Sequence, residues 1–263
     1  MRATVLGEEW MRALIGGSVL AAALAAASPG GAFDVCVEGA YPPFSEITAD
    51  GSVAGFDIDI AAALCAEIGE SCSFRLTTWA RMIPALREDV CDAIVASMSD
   101  TDERRQLIDF TDRYYRSTLQ FVGPVGTDAD GTPEAMAGRT VGVQRGTITE
   151  TFLDVHFPAT PLKLYGNQEH VLLDLTLGRL DAVLGETLQL DAGFLKTPAG
   201  EGFGFVGPPL YDPAILGRGA AIGVRKGDEA LRGRLNAAIA AIRSDGRYDA
   251  IARRYFDVDI YGE

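Results

Sequence analysis

Histidine is nearly missing from this 263-residue chain, which has only His156 and His170, and its four cysteines include no CxxC pair. That leaves no convincing zinc set and no Cys/His arrangement for nucleophilic catalysis, so neither a metal nor a cofactor is expected. Basic residues are outnumbered, with 23 Lys and Arg against 37 Asp and Glu, for a formal charge of −14. An acidic surface repels nucleic acid and anionic lipid, and it modestly favours the approach of cationic solutes. Low-complexity sequence is confined to an Ala-rich start, and no later apolar run suggests a membrane span.

What is present supports packed cores, since 48% of the chain is apolar and the length suits one large domain or two small lobes. The segment "MRALIGGSVLAAALAAASPGGA" has a basic start at Arg12, an apolar stretch from Leu14 to Ala27, and small residues behind it. It reads as a cleaved secretory signal over residues 1–32, with Ala27 and Ala32 both reasonable last residues. No cysteine follows the apolar run, which argues against a lipid anchor, so the expected product is exported to the periplasm. Arg2 and Arg12 balance Glu8 and Glu9, so cleavage leaves the net charge unchanged.

Behind the leader, "FDVCV" reads as a strand and "EGAYPPFSEITADGSVAG" as a loop with turn signals at Pro42-Pro43 and Asp50-Gly51. "FDIDIAAALCAEIG" has helical apolar spacing stopped by Gly69, "CSFRL" alternates as a strand, "ARMIPALRED" is helical and "CDAIVAS" is an apolar strand. Strand, helix, strand, helix, strand predicts a parallel sheet. A second unit starts near Arg139: strand "RTVGVQ", a helix from "GTITETFLDV" with Thr147 and Glu150 at capping-box spacing, strand "LKLYG", helix "QEHVLLDLTLG" and strand "DAVLGE". The tail, with "GAAIGVRKG" and two helical stretches, returns to the first unit. The reading is therefore α/β with two lobes, one of residues 33–115 plus 220–263 and one of 120–210. Crossings at 116–119 and 211–219 join them, with a cleft between.

The halves share a pattern. Asp92-Ala93 and Asp181-Ala182 each open a strand after a helix, and five positions on stand Ser97 and Glu186. Both belong at carboxyl ends of strands, where open α/β sheets bind ligands. Arg104, just past a strand end and beside Ser97 and Ser99, is placed to clamp a carboxylate. "GVQRGTITE" adds a tight turn at Gly146 and free amides at a helix start, a second anion-binding corner. Glu38, Tyr41 and Trp79 together could hold a cation between a carboxylate and ring faces, and Glu186 could accept an ammonium. Such a set describes a basic amino acid. Cys65 and Cys72 stand seven apart across Gly69, and export permits a disulfide between them. Cys36 and Cys91 lie in apolar strand-like runs and read as buried thiols.

Over residues 33–262 the chain resembles the periplasmic amino-acid-binding proteins of ABC importers, particularly the lysine/arginine/ornithine and arginine binders. The matching stretches include "EGAYPPF", "IPALREDVCDAIVASMSDTDERR", "IDFTDRYY", "VGVQRGT", "GRLDAVLGET" and "SDGRYDAIARRYFD". The resemblance implies a two-lobed type II binding-protein fold, each lobe a mostly parallel sheet flanked by helices. It also implies a monomer that closes over one ligand and presents it to a membrane permease.

By the same resemblance, Arg104 grips the α-carboxylate with help from amides at Ser99 and Ile148. Glu186 takes the α-amino group with Ser97, Tyr41 and Trp79 sandwich the ligand's stem, and Glu38 reads a distal cation. Gln144 looks arginine-like, Thr147 and Met98 complete the set, and Cys65 and Cys72 match the family disulfide. The chain departs from the pattern at Ala96, where Ser is common, at Ile148, where Thr is common, and at Glu186, where Asp is usual. Arginine is therefore the first expected ligand, ahead of lysine, ornithine and histidine. Opine binding is the alternative, a cyclohexadienyl dehydratase-like enzyme on the same scaffold is a remoter one, and a receptor sensor domain would need a membrane segment behind the leader.

Overall fold

In the computed structural model, residues 32–262 are described, so the leader reading over residues 1–31 lies outside the described residues. The strands run in chain order as β1 (Phe33–Val37), β2 (Ala40–Tyr41), β3 (Ser45–Ile47), β4 (Val53–Ala54), β5 (Cys72–Leu76), β6 (Ala93–Ile94), β7 (Asp109–Tyr115), β8 (Leu119–Pro124), β9 (Val141–Gln144), β10 (Leu162–Tyr165), β11 (Ala182–Glu186), β12 (Phe203–Leu210) and β13 (Ala220–Val224). They form two five-stranded sheets, ordered β5-β1-β6-β13-β7 and β10-β9-β11-β8-β12. In each, three strands fed by helical crossovers run parallel. One strand in each sheet, β13 in the first and β8 in the second, runs against the other four, so each sheet is mostly parallel, as expected. The reversed strands are those by which the chain enters each sheet from the other lobe, β8 directly after β7 and β13 after β12.

The repeated Asp has the same task in both sheets. Asp92 Oδ2 accepts from the Asp34 amide at 3.0 Å, and Asp181 Oδ2 accepts from the Thr140 amide at 2.7 Å. Each carboxylate thereby ties the start of one parallel strand to its neighbour. The stretch read as a loop after Glu38 instead holds a small antiparallel sheet, β2-β3-β4. Its strands of two or three residues are too short to show a period.

Apolar side chains fill both faces of each sheet. Helices Phe56–Glu67, Glu229–Ser244 and Arg247–Ala252 cover one face of the first sheet around Phe44, Phe56, Tyr114 and Tyr248. Helix Met82–Arg87 covers the other. In the second lobe, helix Ile148–His156 packs over Phe121 and Leu184, while Gln168–Thr176 packs over Val122 and Val183. Between the lobes the chain crosses at 116–118 and again at 211–219, where a short helix, Pro213–Leu216, interrupts the second crossing.

Two disulfides are present. Cys65 is joined to Cys72, as the sequence spacing and the resemblance implied. Cys36 is joined to Cys91, which corrects the reading of two buried thiols. Both sulfurs are indeed buried, but Cys36 lies on β1 and Cys91 just ahead of β6, and these strands are parallel neighbours, so the Cα atoms come within 5.7 Å. Nothing in a linear sequence says which strands will be adjacent. By chain entropy, the bridge spanning 55 positions stabilises by about 4 kcal/mol and the one spanning seven by about 2.4 kcal/mol. Replacing Cys36 and Cys91 by Ala is thus expected to lower the melting temperature by about 8–16 °C, and the Cys65/Cys72 pair by about 5–10 °C. Calorimetric scans of the two double variants check the ranking, and a larger drop for the shorter loop would contradict it.

Candidate functional site

The carboxyl ends of β1, β6, β9 and β11 converge on one cavity between the lobes. Its walls include Glu38, Tyr41, Trp79, Ala96, Ser97, Ser99 and Arg104 from the first lobe, and Gln144, Thr147, Ile148 and Glu186 from the second. Thr149, Gln168 and Gly185 also line it, and the sequence reading missed them. Thr149 directly follows Ile148, and Gln168 lies just past the carboxyl end of β10. The strand-end rule applied to "LKLYGNQ" would have found Gln168.

The turn after β6 is built around Ser97, whose φ of 52° is rare for a residue with a side chain. A buried network pins it: Ser97 Oγ donates to Asp57 Oδ2 at 2.9 Å, Tyr114 Oη donates to Asp57 Oδ1 at 2.7 Å, and the Ser97 amide donates to Tyr114 Oη at 2.9 Å. Asp57 is fully buried, and burial pushes its carboxyl up to about 7, against the two hydroxyl donors that favour the charged form. The Ser97 hydroxyl thus donates to the lobe itself, and its oxygen, on the cavity wall, keeps the lone pairs that could accept from an ammonium. Past this turn Met98 points into the core with Cys36 and Met82 and does not line the cavity, which corrects its placement in the ligand set.

Two adjacent arginines follow, and the structure separates their tasks. Arg105 pairs with the buried Asp100. Arg104 Nη1 donates to the Ser99 carbonyl at 2.9 Å, and its guanidinium sits 5.1 Å from the Trp79 ring centroid. Burial holds Arg104 at about 10, below the ordinary guanidinium value, with Glu103 and Glu186 opposing the shift. Facing it, helix Ile148–His156 begins without a side-chain cap. The expected capping box does not form. Thr147 Oγ1 donates to the Gln144 carbonyl at 2.7 Å, and Glu150 reaches back to the Gly146 amide at 2.5 Å. Gly146 takes φ of 72° in this turn. The first helical amides therefore keep their donor capacity beside Arg104.

Two carboxylates complete the charged set. Glu38 accepts from Gln144 Nε2 at 2.6 Å across the lobes, and burial pushes it up to about 7 while that hydrogen bond pulls down. Glu186 is 8% exposed and accepts from Tyr115 Oη at 2.8 Å. Burial raises it to about 7, offset by Tyr115, the Arg104 charge and Tyr41. Tyr41 stacks on Phe44 and lines the cavity, as does Trp79, whose Nε1 donates to the Gly146 carbonyl at 2.9 Å. Trp79 therefore holds the lobes together as well as walling the cleft. Among the described residues no cluster of His, Cys, Asp and Glu suits a metal ion.

The sequence pattern of the bacterial extracellular solute-binding proteins, family 3, matches residues 33–258. The chain belongs to this family. It is 42% identical over 228 residues to the L-arginine-binding protein of Pseudomonas aeruginosa, covering 86% of this chain and 88% of that one. It is 39% identical over 224 residues to the histidine-binding periplasmic protein of Escherichia coli K12, covering 84% and 86%. Among solved structures, an ancestral arginine-binding protein bound to arginine superposes with a TM-score of 0.80 at 30% identity, over 86% of this chain and 99% of that one. All three are named as binding proteins, and the two-lobed fold with a cleft between sheets is that of type II periplasmic binding proteins.

Proposed function

We propose that this family member binds a cationic L-amino acid, arginine first, between its lobes in the periplasm and delivers it to the permease of an ABC transporter. One observation carries the reading. The cavity is lined by one guanidinium, Arg104, and two carboxylates, Glu38 and Glu186. An amino acid with a cationic side chain presents the mirror image of that set, one carboxylate and two cations. Glutamine would leave one buried carboxylate without a cation, which costs several kcal/mol unless the group takes up a proton. An opine adds a second carboxylate, and the cavity offers it no second cation. The relatives' names support the same ligand class and the periplasmic setting, and residues 1–32 fit an export leader.

Binding and closure are the whole of this activity, with no bond made or broken. The first lobe supplies Arg104, Glu38 and the aromatic walls, and the second adds Glu186 and the helix amides. Ligand then favours the closed arrangement through its contacts with both lobes. The closed monomer is the form offered to the permease.

The test is a set of calorimetric titrations with arginine, lysine, ornithine, histidine, glutamine and octopine at several pH values. With Glu38 and Glu186 raised from the ordinary 4.5 to about 7, the folded protein holds protons that the unfolded chain has lost between those values. Stability of the protein alone accordingly falls as pH rises through that window. A ligand cation beside each carboxylate keeps it ionised, so binding expels protons. Affinity for arginine is expected to rise by up to about tenfold per pH unit for each proton released between pH 5 and 7. Tighter binding of glutamine or octopine than of every basic amino acid, or an affinity flat with pH, would contradict the proposal.

A further inference from the structure

We infer that Gln168 is a specificity-determining residue, whose amide oxygen adds an acceptor at the far end of the cleft and so ranks a guanidinium above a primary ammonium. This rests on the cationic amino-acid reading. Gln168 opens the helix Gln168–Thr176 and is 4% exposed, with its side chain on the cavity wall. It belongs to the end of the cleft where Glu38 lies. The neighbouring Gly166 carbonyl is 3.5 Å from Gln144 Nε2, and the charge of the adjacent Glu169 acts on Glu38.

A glutamine amide can present either its oxygen or its NH2 to a ligand, so specificity depends on what holds it the right way round. Two acceptor-only groups do so here. The Pro42 carbonyl, on the first lobe, accepts from Gln189 Nε2 at 3.1 Å. That fixes the fully buried Gln189 with its oxygen turned to Gln168, whose Nε2 donates to it at 3.4 Å. The Gln168 oxygen is what remains. Glu38, as a carboxylate, likewise takes the NH2 of Gln144 and leaves that oxygen over. Neither oxygen has a donor among the described residues, and neither is sealed from the cavity, since Arg113 Nε is the one buried side-chain polar atom left unpartnered among them.

The relay is seated by close packing. A Cβ at Gly193 would stand 2.0 Å from the Pro42 oxygen, so only glycine lets this segment of the second lobe close onto the carbonyl that orients Gln189. With the lobes together, the far pocket offers one carboxylate and two amide oxygens as acceptors. A guanidinium has five N–H donors in a planar fork to meet them, whereas an ammonium has three on one compact atom. A ureido group would turn its own oxygen onto acceptors.

The test is Gln168→Met, which keeps length and removes the amide, with arginine and lysine titrated calorimetrically at one pH and ionic strength. Arginine affinity is expected to fall about ten- to hundredfold, the loss of one hydrogen bond to a charged group, and lysine affinity by less than about threefold. Gln189→Met frees the Gln168 amide to flip and should narrow the arginine-to-lysine ratio in the same direction. If Gln168→Met does not fold, Gln189→Met decides alone. An unchanged ratio, or equal losses for both ligands, overturns the inference. Wild-type protein that binds lysine at least as tightly as arginine overturns it too, while wild-type protein that binds neither sinks the cationic reading itself.

Discussion

Arg104→Ala is expected to weaken binding of every α-amino acid by about 2–5 kcal/mol, roughly thirtyfold to several thousandfold in Kd. The α-carboxylate is common to all candidate ligands, and Arg104 is the cation among the charged residues on the cavity wall. The Ser99 carbonyl and the Trp79 ring hold the guanidinium in place, so a ligand meets a group already oriented. Arg104→Lys keeps the charge and loses the two-pronged geometry, so it should recover only part of the affinity. Calorimetric titration of arginine against both variants is the measurement. Near-normal affinity in Arg104→Ala would move carboxylate recognition to the amides of helix Ile148–His156 alone.

Glu38→Gln should have an effect of similar size but selective. The substitution keeps the shape, and its amide oxygen can still accept from Gln144, so the lobes still meet. What is lost is the charge beside the ligand's far end. A buried cation left without its partner costs about 2–5 kcal/mol, so arginine binding should fall by roughly thirtyfold to several thousandfold. Citrulline, of nearly the same shape but neutral, gains nothing from the charge, and its weaker binding should hold or improve. The check is a pair of titrations, arginine and citrulline, on wild type and variant. Equal losses for both would make Glu38 a shaping residue and remove the main support for a cationic ligand.

These two variants and the Gln168 variant probe different parts of one ligand. Arg104 tests the end shared by all amino acids, Glu38 tests the presence of a distal charge, and Gln168 tests that charge's shape. Loss across all ligands, loss of charged ligands and loss of arginine alone are three separable outcomes.

Sequence alone determined those features that are local or repeat at short range. The alternation of helical and strand periods, and the two Asp-Ala strand starts five residues ahead of Ser97 and Glu186, were enough to place both positions at strand ends. The strand-end rule then pointed at Arg104 and the Gly146 turn, because ligand sites in open sheets follow from where strands stop. Only the tertiary structure decided what depends on neighbours far apart in the chain. The Cys36–Cys91 bridge needed β1 and β6 side by side. The separate task of Arg105 needed Asp100 turned onto it, and the burial of Met98 needed the left-handed turn that Asp57 and Tyr114 impose on Ser97. The polarity of Gln168 required a carbonyl 126 positions earlier, on the other lobe, because an amide's direction is set by the partner it meets in space.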